Sequence, residues 1–282
     1  MKITVLASGS KGNATYLETP KTKILIDAGI SMLQIKSRLR AENIELSKLD
    51  AVFISHEHTD HVLHLASVLS RTGATLYIDE VSYNVINRKT NNSLLSFKTV
   101  FLKNDCKYVF DDIFVVPIQL SHDSASIHGF LFKENSDDKN LSFASITDTG
   151  VIPEKYFSIL RSINVLMIES NHDVEMLMTS RRPWPLIQRI LAKTGHLSNE
   201  TCVEYLSKII SGNTKHVILA HLSEECNEPQ IAVNECYKVF GENPKFELLV
   251  AEQYQQLSTI EVEWWLKYYV LVKLKKTSSV RE

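Results

Sequence analysis

The chain has 282 residues, and its 31 Lys and Arg residues nearly balance its 33 Asp and Glu residues, for a formal net charge of −2. That balance excludes a histone-like or broadly polybasic protein, and a composition with 44% hydrophobic and 23% charged residues excludes a disordered or fibrous chain. The length allows one large domain or two small ones.

The cysteines and the apolar segments indicate the compartment. The four cysteines show no C-x-x-C spacing, which is typical of reduced thiols and excludes a dense disulfide framework. Near the N-terminus, Gly and Ser residues interrupt the apolar run before a signal-peptide core forms, and the apolar residues 264–272 are too few to cross a bilayer. We therefore expect a cytoplasmic protein with no membrane contact.

Strands and helices alternate along the chain in two strand-rich halves. The first half is predicted to contain strands at 2–7, 15–18 and 23–26, a helix at 31–42 and a strand at 51–54. The second half is predicted to contain strands at 114–120, 128–133 and 141–146, a helix at 153–161, a strand at 165–168, a helix at 199–210 and a strand at 215–220.

No Pro-, Gly- or Ser-rich linker separates the two halves. We therefore predict an α/β protein with two packed sheets and helices outside them, a four-layer αββα sandwich formed by residues 1–250. The pattern after residue 250 fits both a strand and a helix, so residues 251–282 form a C-terminal extension with no assigned structure.

The densest group of chemistry-bearing residues is the run HEHTDH at 56–61, directly after a predicted strand. On a strand end His56 and His58 point the same way, and Asp60 and His61 follow in a turn that opens a helix. A lone His or Asp is ordinarily a surface residue or a satisfied core residue, but four within six positions would repel one another without a cation. Imidazoles with a carboxylate favour a hydrolytic zinc, iron or manganese site, and the run can seed two adjacent metals.

Together with this run, four more motifs make the chain resemble the metallo-β-lactamase superfamily: Asp27 in KILID, His122 in LSHDS, Asp148 in ITDTG and His221 in LAHLS. The resemblance implies the αββα fold of that superfamily and two divalent metal ions per chain. It implies one ion held by His56, His58 and His122, a second held by Asp60, His61 and His221, and a bridge between them at Asp148. Asp27 is expected to accept the distal N–H of a ligand imidazole and fix its orientation.

The resemblance narrows to one branch. Residues 1 to about 222, including LASGSKGNATYLET, ESNHDVEML and GHLSNE, resemble the YycJ/WalJ branch of bacterial cytoplasmic DNA exonucleases that act from a 5′ end. This resemblance implies a metal-dependent phosphodiesterase that acts as a 5′-to-3′ DNA exonuclease. The reaction is expected to use a hydroxide that bridges two metal ions, which are zinc or manganese, with iron as a further candidate. The turn after His122 and residues 225–227 depart from the sequence pattern of that family. These departures concern expected substrate contacts, and every expected metal ligand is present.

Asp60, at the metal centre, and His196, in GHLSNE, are the predicted catalytic residues. The leaving alkoxide needs a proton, and His196 is the predicted donor because the related ribonuclease Z group carries a similar motif at this place in chain order. A histidine that simply precedes a helix is the alternative. Three residues after the strand at 165–168 are expected to order the site around the ligands, to bind a terminal phosphate or to cap a helix: Asn171, His172 and Asp173.

Two segments are candidate contacts for nucleic acid. A Gly- and Ser-rich loop can present donors to phosphate from Ser8, Ser10 and Asn13, although such turns between strands are common. Positive charge and an indole for base stacking come from Arg181, Arg182 and Trp184. A solvated helix face explains the same three residues.

The expected partner is a nucleic acid, DNA rather than RNA. An RNA-processing nuclease is the nearest rival, because contacts to the 2′-hydroxyl cannot be placed from a sequence. A thioester, lactone or lactam hydrolase is a second class, since the same fold and hydroxide also attack carbonyl carbon. A binding module without activity is disfavoured because every ligand position is filled. The sequence predicts no oligomeric state.

Overall fold

The computed structural model describes residues 1–135 and 141–262 of the chain. The strands are β1 (Lys2–Ala7), β2 (Ala14–Glu18), β3 (Lys23–Ile26), β4 (Ala51–Phe53), β5 (Thr75–Ile78), β6 (Thr99–Phe101), β7 (Tyr108–Val109), β8 (Ile113–Gln119), β9 (His128–Glu134), β10 (Ser142–Ile146), β11 (Val165–Glu169), β12 (His216–Ala220), β13 (Glu247–Val250) and β14 (Ile260–Glu261). The helices are α1 (Met32–Ala41), α2 (Thr59–Val62), α3 (Leu65–Thr72), α4 (Glu80–Lys89), α5 (Phe157–Leu160), α6 (Val174–Thr179), α7 (Trp184–Leu191), α8 (Asn199–Ile209) and α9 (Pro229–Phe240), with a 3₁₀ turn at Glu154–Tyr156.

Within the described residues the strands form two seven-stranded sheets with the same plan. The first has the order β14-β1-β2-β3-β4-β5-β6 and the second β13-β12-β11-β10-β9-β8-β7. In the first sheet β1, β2 and β3 pair antiparallel and β3 to β6 pair parallel. In the second, β7 to β10 pair antiparallel and β10 to β13 pair parallel. The parallel halves direct the carboxyl ends of neighbouring strands to one edge, where ligand sites form in layered sheets.

Three apolar layers hold the sheets and helices together. Between the sheets lies an aromatic cluster in which Phe53 of β4 contacts Phe130 of β9, with ring centroids 5.5 Å apart. The outer face of the first sheet packs against α1, α3 and α4, and that of the second against α5, α8 and α9. Strands β4, β10 and β11 are buried along their whole length, as expected for strands covered on both faces. The predicted αββα sandwich is confirmed.

Some elements have no counterpart in the sequence pattern. Residues 63–110, for which no element is predicted, form α3, β5, α4, β6 and β7. Strands β6 and β7 have three and two residues, which is too short for periodicity to register. The helix predicted at 153–161 is divided into the 3₁₀ turn and α5.

Residues 251–262 return to the first sheet. Strand β14 pairs antiparallel with β1, and the Thr259 N–H donates to Glu42 at the end of α1. The domain boundary at residue 250 stays a prediction. The apolar stretch at 264–272 lies outside the described residues, and within the described part no helix has the length and apolarity needed to span a membrane.

Candidate active site

The predicted metal ligands follow the carboxyl ends of strands from both sheets. His122 comes after β8, and the HEHTDH run comes after β4. Asp27 and His221 directly follow β3 and β12, and Asp148 lies two residues after the end of β10; the φ angles of Asp27, Asp148 and His221 are 61°, 58° and 56°. This left-handed region is rare for residues other than glycine, and such outliers cluster at functional sites. The fold therefore brings residues that are far apart in sequence to one edge of the sandwich.

One group of possible ligands contains only histidines. The ligand atoms of His56, His58 and His122 lie within 4.8 Å of one another. His56 is fully buried, and this burial, with the charge of the neighbouring His61 added, lowers its pKa well below the usual value. His122 Nδ1 lies 3.2 Å from the Gly195 carbonyl, to which it can donate. Neutral, oriented imidazoles are what a metal ion requires.

The second group mixes imidazoles and carboxylates. The ligand atoms of Asp60, His61, Asp148 and His221 also lie within 4.8 Å of one another. His61 Nε2 is 3.3 Å from Asp148 and 3.4 Å from Asp60, and His221 Nε2 is 3.3 Å from Asp148. Burial disfavours the charged imidazole, but the carboxylates of Asp27, Asp148 and Asp60 raise the pKa of His61 well above its usual value. The cluster concentrates the negative charge that attracts a cation.

Asp27 is hydrogen-bonded to one of the predicted ligands, His61, and to the backbone of Ser55. Its Oδ2 accepts the Nδ1 hydrogen of His61 at 2.8 Å, and its Oδ1 accepts the Ser55 backbone N–H at 2.8 Å. The carboxylate thus fixes the ring so that Nε2 faces Asp60 and Asp148. Neither Ser55 nor this second bond is indicated by the motif alone.

Glu169, at the end of β11, connects the predicted acid to a predicted ligand. Its Oε1 lies 2.7 Å from Nδ1 of His196 and 2.9 Å from Nδ1 of His221. Its Oε2 accepts the backbone N–H groups of Thr149 and Leu197. Although burial disfavours the charged form, His196 and the hydrogen bonds lower the pKa of Glu169 to about 2. In turn Glu169 outweighs the effect of burial and raises the pKa of His196.

The three residues after Glu169 and Ser170 have different environments. Asn171 Nδ2 donates to the His221 carbonyl at 2.8 Å, which holds the backbone of that residue. Asp173 accepts the Met176 N–H at 2.8 Å and caps α6, the capping role that the sequence also allows. His172 is buried beside Ser198, to which it is joined by an isolated β-bridge. Burial lowers the pKa of His172 to about 4.

The Gly- and Ser-rich loop at 8–13 lies directly against the metal-site residues. Ser8 is buried, and its Oγ accepts the His221 N–H at 2.8 Å. Asn13 Nδ2 lies 3.0 Å from His61 Nε2 and 3.2 Å from Asp60 Oδ2. Ser10 is exposed at the tip of the loop. Two of the three predicted phosphate contacts therefore touch predicted ligands.

The basic segment before His196 reaches the loop after His221. Arg182 Nε donates to Glu225 at 3.1 Å, and its Nη2 donates to Ser223 Oγ at 3.4 Å. Arg181 is exposed, and Trp184 at the start of α7 is 54% exposed. This placement puts the guanidinium of Arg182 beside the site and leaves the indole accessible.

Two site carboxylates, Glu169 and Glu57, have roles that the motifs do not indicate. Glu57 accepts the Ala125 N–H at 2.7 Å and the Ser82 hydroxyl at 2.8 Å, so it ties the HEHTDH run to the loop of His122 and to α4. The sequence signal that could have identified Glu169 is its position. Glu169 is the last residue of an apolar strand, and Asp27 and Asp148 come one and two residues after the ends of similar strands.

The donor set fits a metal ion. Among the described residues, three buried side-chain atoms of these groups have no hydrogen-bond partner: His56 Nε2, Asp148 Oδ2 and His221 Nε2. Buried polar atoms are normally paired, and nitrogen and carboxylate oxygen are ligands for zinc and similar divalent ions. The fold and these clusters indicate divalent-metal binding.

Comparison with known proteins gives the family. Residues 22–222 match the family described as "Beta-lactamase superfamily domain". The chain is 34% identical over 232 residues to exodeoxyribonuclease YycJ of Bacillus anthracis, covering 82% of this chain and 86% of that protein. It is 39% identical over 233 residues to exodeoxyribonuclease WalJ of Streptococcus pneumoniae serotype 2, covering 82% and 85%.

A solved structure extends the likeness in fold. The crystal structure of the metallo-beta-lactamase fold protein YhfI from Bacillus subtilis matches with a TM-score of 0.66 at 14% identity, covering 91% of this chain and 98% of that one. The cluster of histidines and aspartates at the strand ends therefore lies on a metallo-β-lactamase fold and in a sequence that matches the family model. The chain belongs to the metallo-β-lactamase superfamily and, within it, to the family of YycJ and WalJ.

Proposed function

We propose that this chain is a metal-dependent phosphodiesterase, an exodeoxyribonuclease that degrades DNA from a 5′ end. The observation that carries the proposal is the convergence of seven possible ligands with His196 and Glu169 at one edge of the sandwich. The names of YycJ and WalJ support DNA as substrate, at identities of 34% and 39% over most of the chain. The direction from a 5′ end rests on the resemblance in the motifs.

The proposed metal centre would hold two divalent ions. The candidate metals are zinc and manganese, and iron is a further candidate. The histidine group would hold one ion, and Asp60, His61 and His221 the other, with Asp148 between them. When bound, the metal supplies an activated water molecule and neutralises negative charge on the phosphodiester. Asp27 contributes by fixing the ring of His61.

His196 is proposed to protonate the leaving oxygen. Because its Nδ1 is directed to Glu169, Nε2 is the nitrogen that faces a substrate, and its side chain is 20% exposed. The ring centroid of His196 lies 5.0 Å from that of His122 and 5.4 Å from that of His221. The proton donor therefore stands beside both ligand groups, as proton transfer to a leaving group there requires.

The substrate path is proposed to run over the loop at 8–13 and the segment before α7. Ser10 and Asn13 present donors on one side, and Arg181, Arg182 and Trp184 present charge and an aromatic face on the other. Lysine and arginine contacts with phosphate supply the salt-dependent part of binding in a nearly neutral protein. A cytoplasmic location is proposed as well, since all four cysteines are free thiols.

The test compares substrates labelled at either end. Metal-stripped protein is supplied with zinc or manganese and incubated with 5′- or 3′-labelled duplex DNA, single-stranded DNA and RNA. We expect the 5′ label of DNA to be released first, only with metal, and not by Asp60→Ala. Asp111→Ala, the same change on the protein surface, serves as the control and should behave as wild type. Cleavage of RNA alone, or of thioesters with no cleavage of DNA, would overturn the proposal.

A further inference from the structure

The residues that return after β13 are anchored on the loop at 8–13. Gln253 is 8% exposed, and its Oε1 accepts the Lys11 backbone N–H at 2.8 Å. Its Nε2 donates to the Gly12 carbonyl, also at 2.8 Å. The contact requires glycine at position 9, where φ is +145° and a Cβ would lie 2.7 Å from Gln253 Oε1. The chain after β13 therefore fixes the loop that touches the metal ligands.

This anchor places an exposed aromatic ring beside Lys11 on the loop at 8–13. Tyr254 follows Gln253 and is 67% exposed. Its hydroxyl accepts from Lys11 Nζ at 2.7 Å, and Lys11 stands two residues from Asn13, whose amide touches His61. Two residues span at most about 7 Å, so the backbone of Lys11 lies within about 7 Å of the backbone of Asn13, whose side chain contacts His61 and Asp60.

The Tyr254 ring is largely exposed, and Lys11 does not cover its faces. Lys11 Nζ lies 5.4 Å from the ring centroid, close to the longest separation that its hydrogen bond to the hydroxyl allows. The ammonium group is thus at the hydroxyl end of the ring, and it covers neither face. An open aromatic face beside a lysine is the combination that binds single-stranded nucleic acid, because bases stack on the ring while the cation contacts phosphate.

The loop after His221 forms ion pairs with basic residues from two other segments of the chain. Lys11 forms an ion pair with Glu224 at 2.7 Å, and Arg182 forms one with the next residue, Glu225, at 3.1 Å. The two acidic side chains are therefore paired with cations from two different segments of the chain, the loop at 8–13 and the segment before α7. A phosphate that approaches Lys11 competes with Glu224 for the ammonium group.

We propose that Tyr254 and Lys11 form a nucleotide-binding site for the substrate strand, in which Tyr254 stacks on a base and Lys11 binds the adjoining phosphate. The inference rests on the proposed function and adds a contact from the segment after β13. The ion pair between Glu224 and Lys11 reduces the net positive charge of this site. Gln253 joins the two residues, since it precedes Tyr254 in the chain and is hydrogen-bonded to the backbone of Lys11 and Gly12.

The experiment measures stacking and binding without turnover. Metal-loaded protein is titrated into a single-stranded oligonucleotide with cleavage-resistant phosphorothioate linkages, carrying 2-aminopurine at one of its positions near the 5′ end. We expect one position to be quenched by wild type and by Tyr254→Phe. Tyr254→Ala should lose the quenching and bind about tenfold more weakly. Lys11→Gln should lower the slope of log Kd against log salt by about 0.7.

Two matched controls separate this site from general effects. Phe114 carries Lys107 3.8 Å from its ring centroid at the end of β8 away from His122, so Phe114→Ala should leave binding unchanged. Glu224→Gln should tighten binding severalfold, whereas Glu235→Gln, which removes the same charge from the ion pair with Lys238 on α9, should not.

The outcomes distinguish this inference from the proposed function. If wild type degrades ordinary DNA but Tyr254→Ala binds and quenches as wild type does, the nucleotide site is overturned and the exonuclease proposal stands. If wild type neither binds nor degrades DNA with metal supplied, both are overturned.

Discussion

Replacing Glu169 with glutamine is the most direct test of how the site is held. The carboxylate is fully buried and accepts from two imidazoles on Oε1 and from two backbone N–H groups on Oε2. A glutamine has one acceptor oxygen and one NH₂ group. Whichever way the amide is turned, its NH₂ faces two hydrogen-bond donors, so two bonds to a charged acceptor are lost.

The size of the effect follows from those two bonds. Each bond to a charged acceptor contributes about 1.5–3 kcal/mol, and removal of a buried charge offsets part of the loss. We expect Glu169→Gln to lower the free energy of unfolding by about 3 kcal/mol. Without the carboxylate, the Nδ1 hydrogen of His196 loses its charged acceptor and the imidazolium loses the neighbouring negative charge, and general acid catalysis contributes about 10²–10⁴ in rate. We therefore expect kcat to fall at least about 100-fold.

The assay separates chemistry from metal loss. Metal content is measured by elemental analysis, stability by thermal unfolding, and kcat on labelled DNA at saturating metal. Glu134→Gln is the matched control, since Glu134 is also buried and pairs with a cation, the N-terminal amine of Met1. The double variant with His196→Ala should be no slower than His196→Ala alone. A Glu169→Gln protein with full metal content and wild-type kcat would refute the reasoning.

Three further changes have distinct expected results. Asp27→Asn should weaken metal affinity about 10–100-fold, measured by titration with a competing chelator, because the ring of His61 loses its charged acceptor. Reversing Arg181 and Arg182 to Glu should weaken DNA binding and flatten its salt dependence. Burial lowers the pKa of His128, so the unfolded chain binds a proton that the folded chain excludes, and stability falls as pH drops below about 6.5. His128→Gln should therefore reduce the loss of Tm between about pH 7.5 and about pH 5.5.

Each of these expectations has a contradicting result. Unchanged chelator competition in Asp27→Asn would mean that His61 keeps its orientation through other contacts. Unchanged DNA binding in the charge-reversed protein would remove the basic segment from the substrate path. An identical pH dependence of Tm in His128→Gln would show that His128 contributes nothing to it.

The sequence predicts those parts of the candidate site whose residues are clustered in one motif or lie at the ends of apolar strands. The HEHTDH run contains four possible ligands in six positions, His221 directly follows strand β12, and Asp148 lies two residues after strand β10. Contacts between distant segments gave no such signal. Gln253 bonds to Gly12, 241 positions away, and nothing in either local sequence indicates the partner. In the fold, the two sheets were predictable, whereas the short strands β6 and β7 depend on pairing with neighbours.

The positions with left-handed backbone show how the chain holds residues of the candidate site in place. A residue other than glycine in that region costs about 1–3 kcal/mol and persists only where its surroundings determine it. At Asp27 the backbone N–H donates to the Phe53 carbonyl at 2.8 Å, and at His221 it donates to Ser8 Oγ at 2.8 Å. Each bond joins one strand end to another segment of the site, and His221 is joined in this way to the opposite sheet. The bond at Asp27 joins two neighbouring strands of the first sheet, whereas the bond at His221 joins the second sheet to the first, so the geometry of the candidate site depends both on strand pairing and on the packing of the two sheets.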